Sequence, residues 1–221
     1  MYLVEADAPL GLRESDRHPD TPAPLPGGRW QDFPYSRISH HDALCCRIAR
    51  EWVVAMDFAQ LNGGDLASGP RWLRQKYKWG PTAWPAFWCE LVREKSIDCG
   101  AHAALAQEVF IARGQTSFPA QLVQQYSADA TSQWRGKWSD QDVSCHWIDQ
   151  DVIYHEGTAL LVGDEDVKLW DASAGAWINP RQAGGYGSLI AARIFAEGQF
   201  GGGDGFRWGE RRIKPNQWVG I

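Results

Sequence analysis

Cysteine is sparse in this chain of 221 residues: five, an odd number at irregular intervals, which argues against a disulfide-stapled scaffold. Long apolar runs are also missing. No stretch reaches the roughly 20 uncharged residues that span a bilayer, so membrane association is not expected. Met1-Tyr-Leu-Val-Glu-Ala-Asp7 lacks the basic segment and apolar run of a secretory leader. These absences set the expectation of a reducing, cytoplasmic setting in which a thiolate can persist. Positive charge is in deficit, with 22 Lys and Arg against 27 Asp and Glu and a formal charge of −5. Nucleic acid, whose binding needs clustered cations to displace counterions, is therefore not an expected partner. The glycine-rich segments lack the Lys-Ser/Thr of a phosphate loop, and Cys145, His146 and His155 follow no recognised ligand spacing. Neither a metal nor a cofactor is expected, and no internal repeat is visible.

What the chain has in excess is tryptophan, 13 residues spread along its length. Indoles normally fill cores; an aromatic-lined cleft for an apolar or planar substrate is the alternative use. An apolar fraction of 44% with 22% charged residues is that of one globular domain. Residues 1–36, rich in Pro, Asp and Arg and without periodicity, read as an N-terminal arm, and 37–221 as a single domain. Helical spacing at Leu44, Ile48, Trp52, Val53 and Met56 predicts a helix that begins near Ser39 and ends before Gly63-Gly64. Cys45 and Cys46 read as small core residues within it. Helices are also expected at 71–78, 85–95 and 99–113, the last stopped by Gly114. Beyond it the period changes to two. Residues 119–126, 152–162 and 167–172 read as strands, 183–197 returns to helical spacing, and the glycine-rich tail from 201 reads as loop. Helices first and strands later indicate an α+β fold with helices packed on an antiparallel sheet.

A thiol becomes a good nucleophile only as a thiolate, and a helix N-terminus favours that anion through its unpaired N–H groups and dipole. Ser96-Ile97-Asp98 offers capping side chains, so Cys99 falls where the fourth helix begins. Such a nucleophile needs an imidazole to take its proton and a carboxylate to orient that imidazole. His155 and Asp171 bracket the turn sequence Val162-Gly163-Asp164. A turn centred on Gly163 would set them directly opposite each other on neighbouring strands. His146 competes with His155 as the base, and His102, one turn from Cys99, is a third candidate. Asp98 opposes ionisation of the neighbouring thiol unless it caps the helix.

Taken in order, Cys99-x-x-x-Ala103-x-Leu105, Gly114, Pro119-Ala-Gln-Leu-Val-Gln-Gln-Tyr126, His155 and Asp171-Ala-Ser173 resemble the core of bacterial transglutaminase-like domains. There a nucleophilic Cys opens a helix, a Gly ends it, a Pro-Ala-Arg-Val-Val-type strand follows, and His and Asp-Pro-Thr motifs complete the site. Papain-like peptidases use a similar spacing between His and Asn. The resemblance covers about one third of the chain. It departs from the family at Asp98 and Gly100, where Gln before or Trp after the nucleophile is common. It departs again at His155-Glu156-Gly157-Thr158-Ala159, which replaces His-Ala-Trp-x-Glu. Arg93 stands at the upstream offset of papain's oxyanion-hole Gln. The resemblance implies a papain/transglutaminase-like fold and a catalytic domain with Cys99 as nucleophile, His155 as proton shuttle and Asp171 as orienting acid. The Cys99 N–H is the expected first oxyanion donor. Gln75, Trp79, Trp84 and Trp88 are candidates for the second.

The expected activity is acyl transfer through a thioester on Cys99, resolved by an amine to give an amide. A cysteine hydrolase (peptidase or amidase) and a non-catalytic binding module on the same scaffold are the alternatives. The expected partners are a small-molecule or peptide acyl donor, free or on a carrier protein, and an amine acceptor. Arg207, Arg211, Arg212 and Lys214 form a cationic cluster that is either a solvated face or a dock for an acidic carrier. Trp147 and Trp170 are expected in the wall of the substrate cleft. Alternation with Asp171 offers the core as another place for Trp170.

Overall fold

The computed structural model describes residues 35–38, 44–61, 63–139, 147–149, 151–179, 188–196 and 205–221. The 18-residue α1 (Leu44–Leu61) turns Cys46, Ala49, Val53 and Asp57 inward, an apolar stripe at i, i+3 and i+4 closed by one acid. It is followed by α2 (Trp72–Lys76), β1 (Lys78–Trp79), the short α3 (Trp88–Leu91), β2 (Ser96–Ile97) and α4 (Cys99–Ala112). Nine residues of α4 are buried, among them Gly100, His102, Leu105, Ala106, Val109 and Phe110. A helix apolar on all sides is one enclosed by its neighbours. Gly114, at φ 76°, ends it: the Gly114 N–H meets the Ile111 carbonyl and the Gln115 N–H the Phe110 carbonyl. This left-handed stop would be strained with a β-carbon. The same end is tied to α1 by Arg113, whose guanidinium grips buried Asp57 at 2.6 and 2.7 Å. Asp57 also accepts from Trp72 Nε1 at 2.8 Å. Loss of one member of such a buried pair strands a charge, at about 3–5 kcal/mol, so the pair holds α1 and α2 against α4.

The sheet layer follows as β3 (Ser117–Gln125), α5 (Ala128–Ser139), β4 (Ile148–Asp149), β5 (Val152–Leu161), β6 (Val167–Asp171), β7 (Ala176–Ile178) and β8 (Ser188–Ile194). The hairpin β9 (Phe206–Trp208) and β10 (Arg211–Ile213) and the last strand β11 (Val219–Gly220) complete the chain. Among the described residues seven strands form one antiparallel sheet, in the order β11-β8-β3-β5-β6-β7, with β4 also on β5. α4 lies on β5, where Thr158 Oγ1 donates to the Ala103 carbonyl at 2.9 Å. Leu169 and Trp170 are successive residues of β6 and so point to opposite faces. Trp170 joins the helical core with Val53, Leu105 and Leu160. Leu169 joins a second core with Leu122, Ile194 and Phe206 of the hairpin.

The architecture is α+β, with helices on an antiparallel sheet. Three local expectations are corrected. Within 183–197, residues 188–194 are a strand paired with β3 and β11. Leu189, Ala191, Ala192 and Ile194 are all buried, and a strand covered on both faces shows no alternation to distinguish it from a helix. The glycine-rich tail contains a hairpin whose Phe206, Trp208 and Ile213 are buried. The helix expected over 85–95 is confined to Trp88–Leu91. Among the described residues no helix is long and apolar enough to cross a membrane.

Candidate active site

α4 begins at Cys99 because Asp98 caps it. The Asp98 backbone is extended, and its Oδ1 accepts the Ala101 N–H at 2.8 Å. Oδ2 accepts Trp84 Nε1 at 2.7 Å, and the Asp98 N–H donates to Thr82 Oγ1 at 2.8 Å. The carboxylate beside the thiol is thus committed to the helix end, which is the arrangement that lets the two coexist. Burial still pushes the Asp98 carboxyl upward against these hydrogen bonds. Parallel pairing of β1 with β2 sets Trp79 beside Ile97, two residues before Cys99.

His155 on β5 and Asp171 at the end of β6 do meet, but not as directly opposed residues. Thr158 pairs with Trp170 and Leu161 with Val167, so the hairpin is centred one residue beyond Gly163. Continuing the ladder places Asp171 opposite Gly157 and His155 on the diagonal. Side chains two residues apart share a face, and a diagonal pair lies within reach of long side chains. His155 Nε2 is 2.9 Å from Asp171 Oδ1. No side chain stands at the opposed position, because a β-carbon on Gly157 would lie 2.7 Å from the Trp170 carbonyl oxygen. Ser173 Oγ and the Ala174 N–H each donate to Asp171 Oδ1 at 2.9 Å, and Ser173 Oγ lies 3.4 Å from His155 Nε2.

On its other side His155 shares the cleft with Cys99, and the charges of the two groups act on each other. With Nε2 on Asp171, Nδ1 is the nitrogen left for sulfur. Burial disfavours the imidazolium, yet the charges of Asp171 and Cys99 outweigh it and raise His155 well above its usual value. Burial also works against ionised Asp171, but His155, the Ala174 N–H and the Ser173 hydroxyl bring its carboxyl down to about 2. For Cys99, burial pushes the thiol up and His155 pulls it down, burial being the larger effect. The His155 imidazolium thus favours the thiolate, against the burial that opposes it. Behind this pair Glu156 accepts from the Ser36 N–H at 2.9 Å and from Tyr154 Oη at 2.7 Å. Ser36, at the end of the N-terminal arm, is thereby tied to the site's strand. His102 is buried, and burial lowers it to about 4, so it is a neutral packing residue. His146 and Cys145 lie outside the described residues.

A cleft of about 310 Å³ opens over Cys99, His155 and Asp171, walled by Trp79, Trp134, Trp138, Trp147, Tyr126 and Tyr154. Trp147 is where the sequence suggested. Trp170 is not: it is fully buried and packs 4.9 Å from Trp177, because alternation along β6 turns it to the helical core when Asp171 faces the site. Sequence reasoning passed over Trp134 and Trp138, which lie one turn apart on α5. A signal was present, since Ser127 caps α5 through the Ala130 N–H and Asp129 occupies its first turn. Of the candidates for the second oxyanion donor, Gln75 is exposed, Trp84 serves Asp98, and Trp88 is buried away from the cleft. Trp79 alone of the four lines it.

Among the described residues, one group of potential metal ligands stands apart from the cleft: the sulfurs of Cys45, Cys46 and Cys89 lie within 4.8 Å of one another, with Cys46 and Cys89 3.4 Å apart in the helical core. In the cationic cluster, Arg207 pairs with Asp166 and Arg212 with Glu165, which reduces the charge it can offer a partner. Comparison with family models, curated proteins and solved structures finds no match to the chain.

Proposed function

We propose that this protein is a Cys–His–Asp enzyme of papain/transglutaminase-like type that passes an acyl group through a thioester on Cys99 to an amine. The observation that supports this most is the position of His155, 2.9 Å from Asp171 through Nε2 and in one cleft with Cys99. Cys99 Sγ attacks the donor carbonyl while its proton passes to the imidazole. Asp171 stabilises the imidazolium and holds the ring in place. The negative oxygen of the tetrahedral intermediate lies near the α4 N-terminus, where the Cys99 N–H is a donor and Trp79 a candidate second one. The imidazolium then protonates the leaving group as its bond to carbon breaks. In the second half, His155 takes a proton from the amine as nitrogen attacks the thioester, and Cys99 is released.

Hydrolysis is the second reading, favoured by the partial exposure of Cys99 to solvent. An acyltransferase must bind its amine and limit water at the thioester, and the aromatic walls suit that task. Following the decay of preformed acyl-enzyme against amine concentration separates the two. Saturable acceleration with amide as product is the expected result. A decay and product distribution unaffected by any amine would make the protein a hydrolase.

A further inference from the structure

We infer that the acyl group accepted by Cys99 carries a flat aromatic ring; this rests on the acyl-thioester chemistry proposed above and specifies its substrate. Three separate elements converge on the cleft: β1 brings Trp79, α5 brings Trp134 and Trp138, and the turn before β4 brings Trp147. Trp79 touches Trp138 and Trp147 with centroids 4.7 and 5.0 Å away and planes tilted by 61° and 58°. Tyr126 and Trp134 are 4.9 Å apart at 65°. Tilted contacts are the favoured geometry of aromatic pairs, and an entering ring can extend the same pattern. Trp79, Trp134, Trp147 and Tyr126 are only half-buried, whereas Trp72, Trp88 and Trp170 are sunk in the helical core. Indoles left facing a cleft beside the nucleophile mark a ligand surface.

The same lining excludes other occupants. A long aliphatic chain calls for a channel of branched aliphatic side chains, and among the described residues Ile153 is the only one in this wall. A cation held by aromatic faces would meet Lys137, whose ammonium already stands 4.6 Å from the Trp138 ring centroid and repels it. A volume of about 310 Å³ is at the lower end for ligand sites, suited to one ring with its linker. In the step proposed, a bond forms from Cys99 Sγ to the acyl carbon and the donor's bond to its leaving group breaks. The thiol proton passes through His155 to that leaving group.

The test compares N-acetylcysteamine thioesters of phenylacetate and cyclohexylacetate on the intact protein. Both place a methylene next to the carbonyl, so reactivity is matched and flatness is what differs. An acetyl thioester is the third donor. Acylation is followed by intact mass, with peptide mapping to Cys99. The phenylacetyl donor should react about tenfold faster, a preference equal to about 1.4 kcal/mol and within what two tilted ring contacts supply. Trp134→Leu and Trp147→Leu should bring the ratio toward one while circular dichroism stays as in the parent. A parent ratio of one or less with Cys99 still acylated overturns the aromatic substrate and leaves the thioester chemistry standing. A high ratio that persists in both folded variants overturns the assignment to this cleft. Failure of all three donors to acylate Cys99 overturns the underlying chemistry and the inference with it.

Discussion

Replacing Asp171 by Asn removes one charge from the site and little else, since the amide oxygen can still accept from Ser173 and the Ala174 N–H. The Asp171 carboxyl titrates near 2 in spite of its burial, below an ordinary value of 3.8. A displacement of that size corresponds to roughly 2–3 kcal/mol in favour of the anion. The His155 imidazolium is the largest favourable contributor, ahead of the Ala174 N–H and the Ser173 hydroxyl. That figure is net of the opposing burial, and assigning most of it to His155 leaves on the order of 2 kcal/mol. By reciprocity the imidazolium loses the same support in the variant. The thiolate–imidazolium pair, which burial disfavours at Cys99, should then fall about ten- to sixtyfold in population. The assay is the second-order rate of iodoacetamide modification at Cys99 between pH 5 and 9, read by peptide mapping. In the variant, modification at neutral pH should fall by that factor and its rise should move to higher pH. A rate within twofold of the parent with the same pH profile would refute the reasoning.

In the parent protein, brief iodoacetamide treatment near neutral pH should modify Cys99 ahead of the other four cysteines; burial pushes the Cys46 and Cys89 thiols up, and among the described residues no imidazole offsets it there. Preferential labelling elsewhere would contradict the assignment of the nucleophile. Glu156→Gln should change how stability varies with pH. Burial raises the Glu156 carboxyl from 4.5 to about 7, so its contribution is fully present below 4.5 and is lost as pH rises through 7. Relative to the variant, the parent should lose on the order of 3 kcal/mol between about pH 4 and pH 8 in urea unfolding; parallel curves would contradict this. Trp170→Ala should cost about 3–5 kcal/mol of stability in the same assay, with a large loss expected because Trp170 is fully buried. A cost below about 1 kcal/mol would place that indole outside the core.

The start of α4 was legible because the signals are local: Asp98 is a capping residue, and Gly114 supplies a stop. The partnership of His155 and Asp171 was legible from strand parity, since any register that keeps both on one face brings them near. Their diagonal offset was not, because it depends on a turn longer than two residues, closed by the Val162 N–H on the Asp166 carbonyl. β8 was hidden by burial on both faces, which erases alternation. A cleft with Trp147 in its wall was expected, but the part played by Trp134 and Trp138 was beyond reach, because the indoles come from β1, α5 and the turn before β4, far apart in sequence and joined only by the topology. Trp170 shows the opposite case: nearness in sequence to Asp171 pointed to the cleft, while strand alternation sends it to the core.

The most direct test of the account is to trap the acyl-enzyme. The protein is quenched in acid within seconds of mixing with a thioester donor, and intact mass and peptide maps are compared with those of Cys99→Ala. The account predicts one acyl group per chain, located on Cys99, removed by neutral hydroxylamine as a thioester is, and absent from the variant. An adduct that persists in Cys99→Ala, or that maps to Cys45, Cys46, Cys89 or Cys145 in the parent, would contradict it.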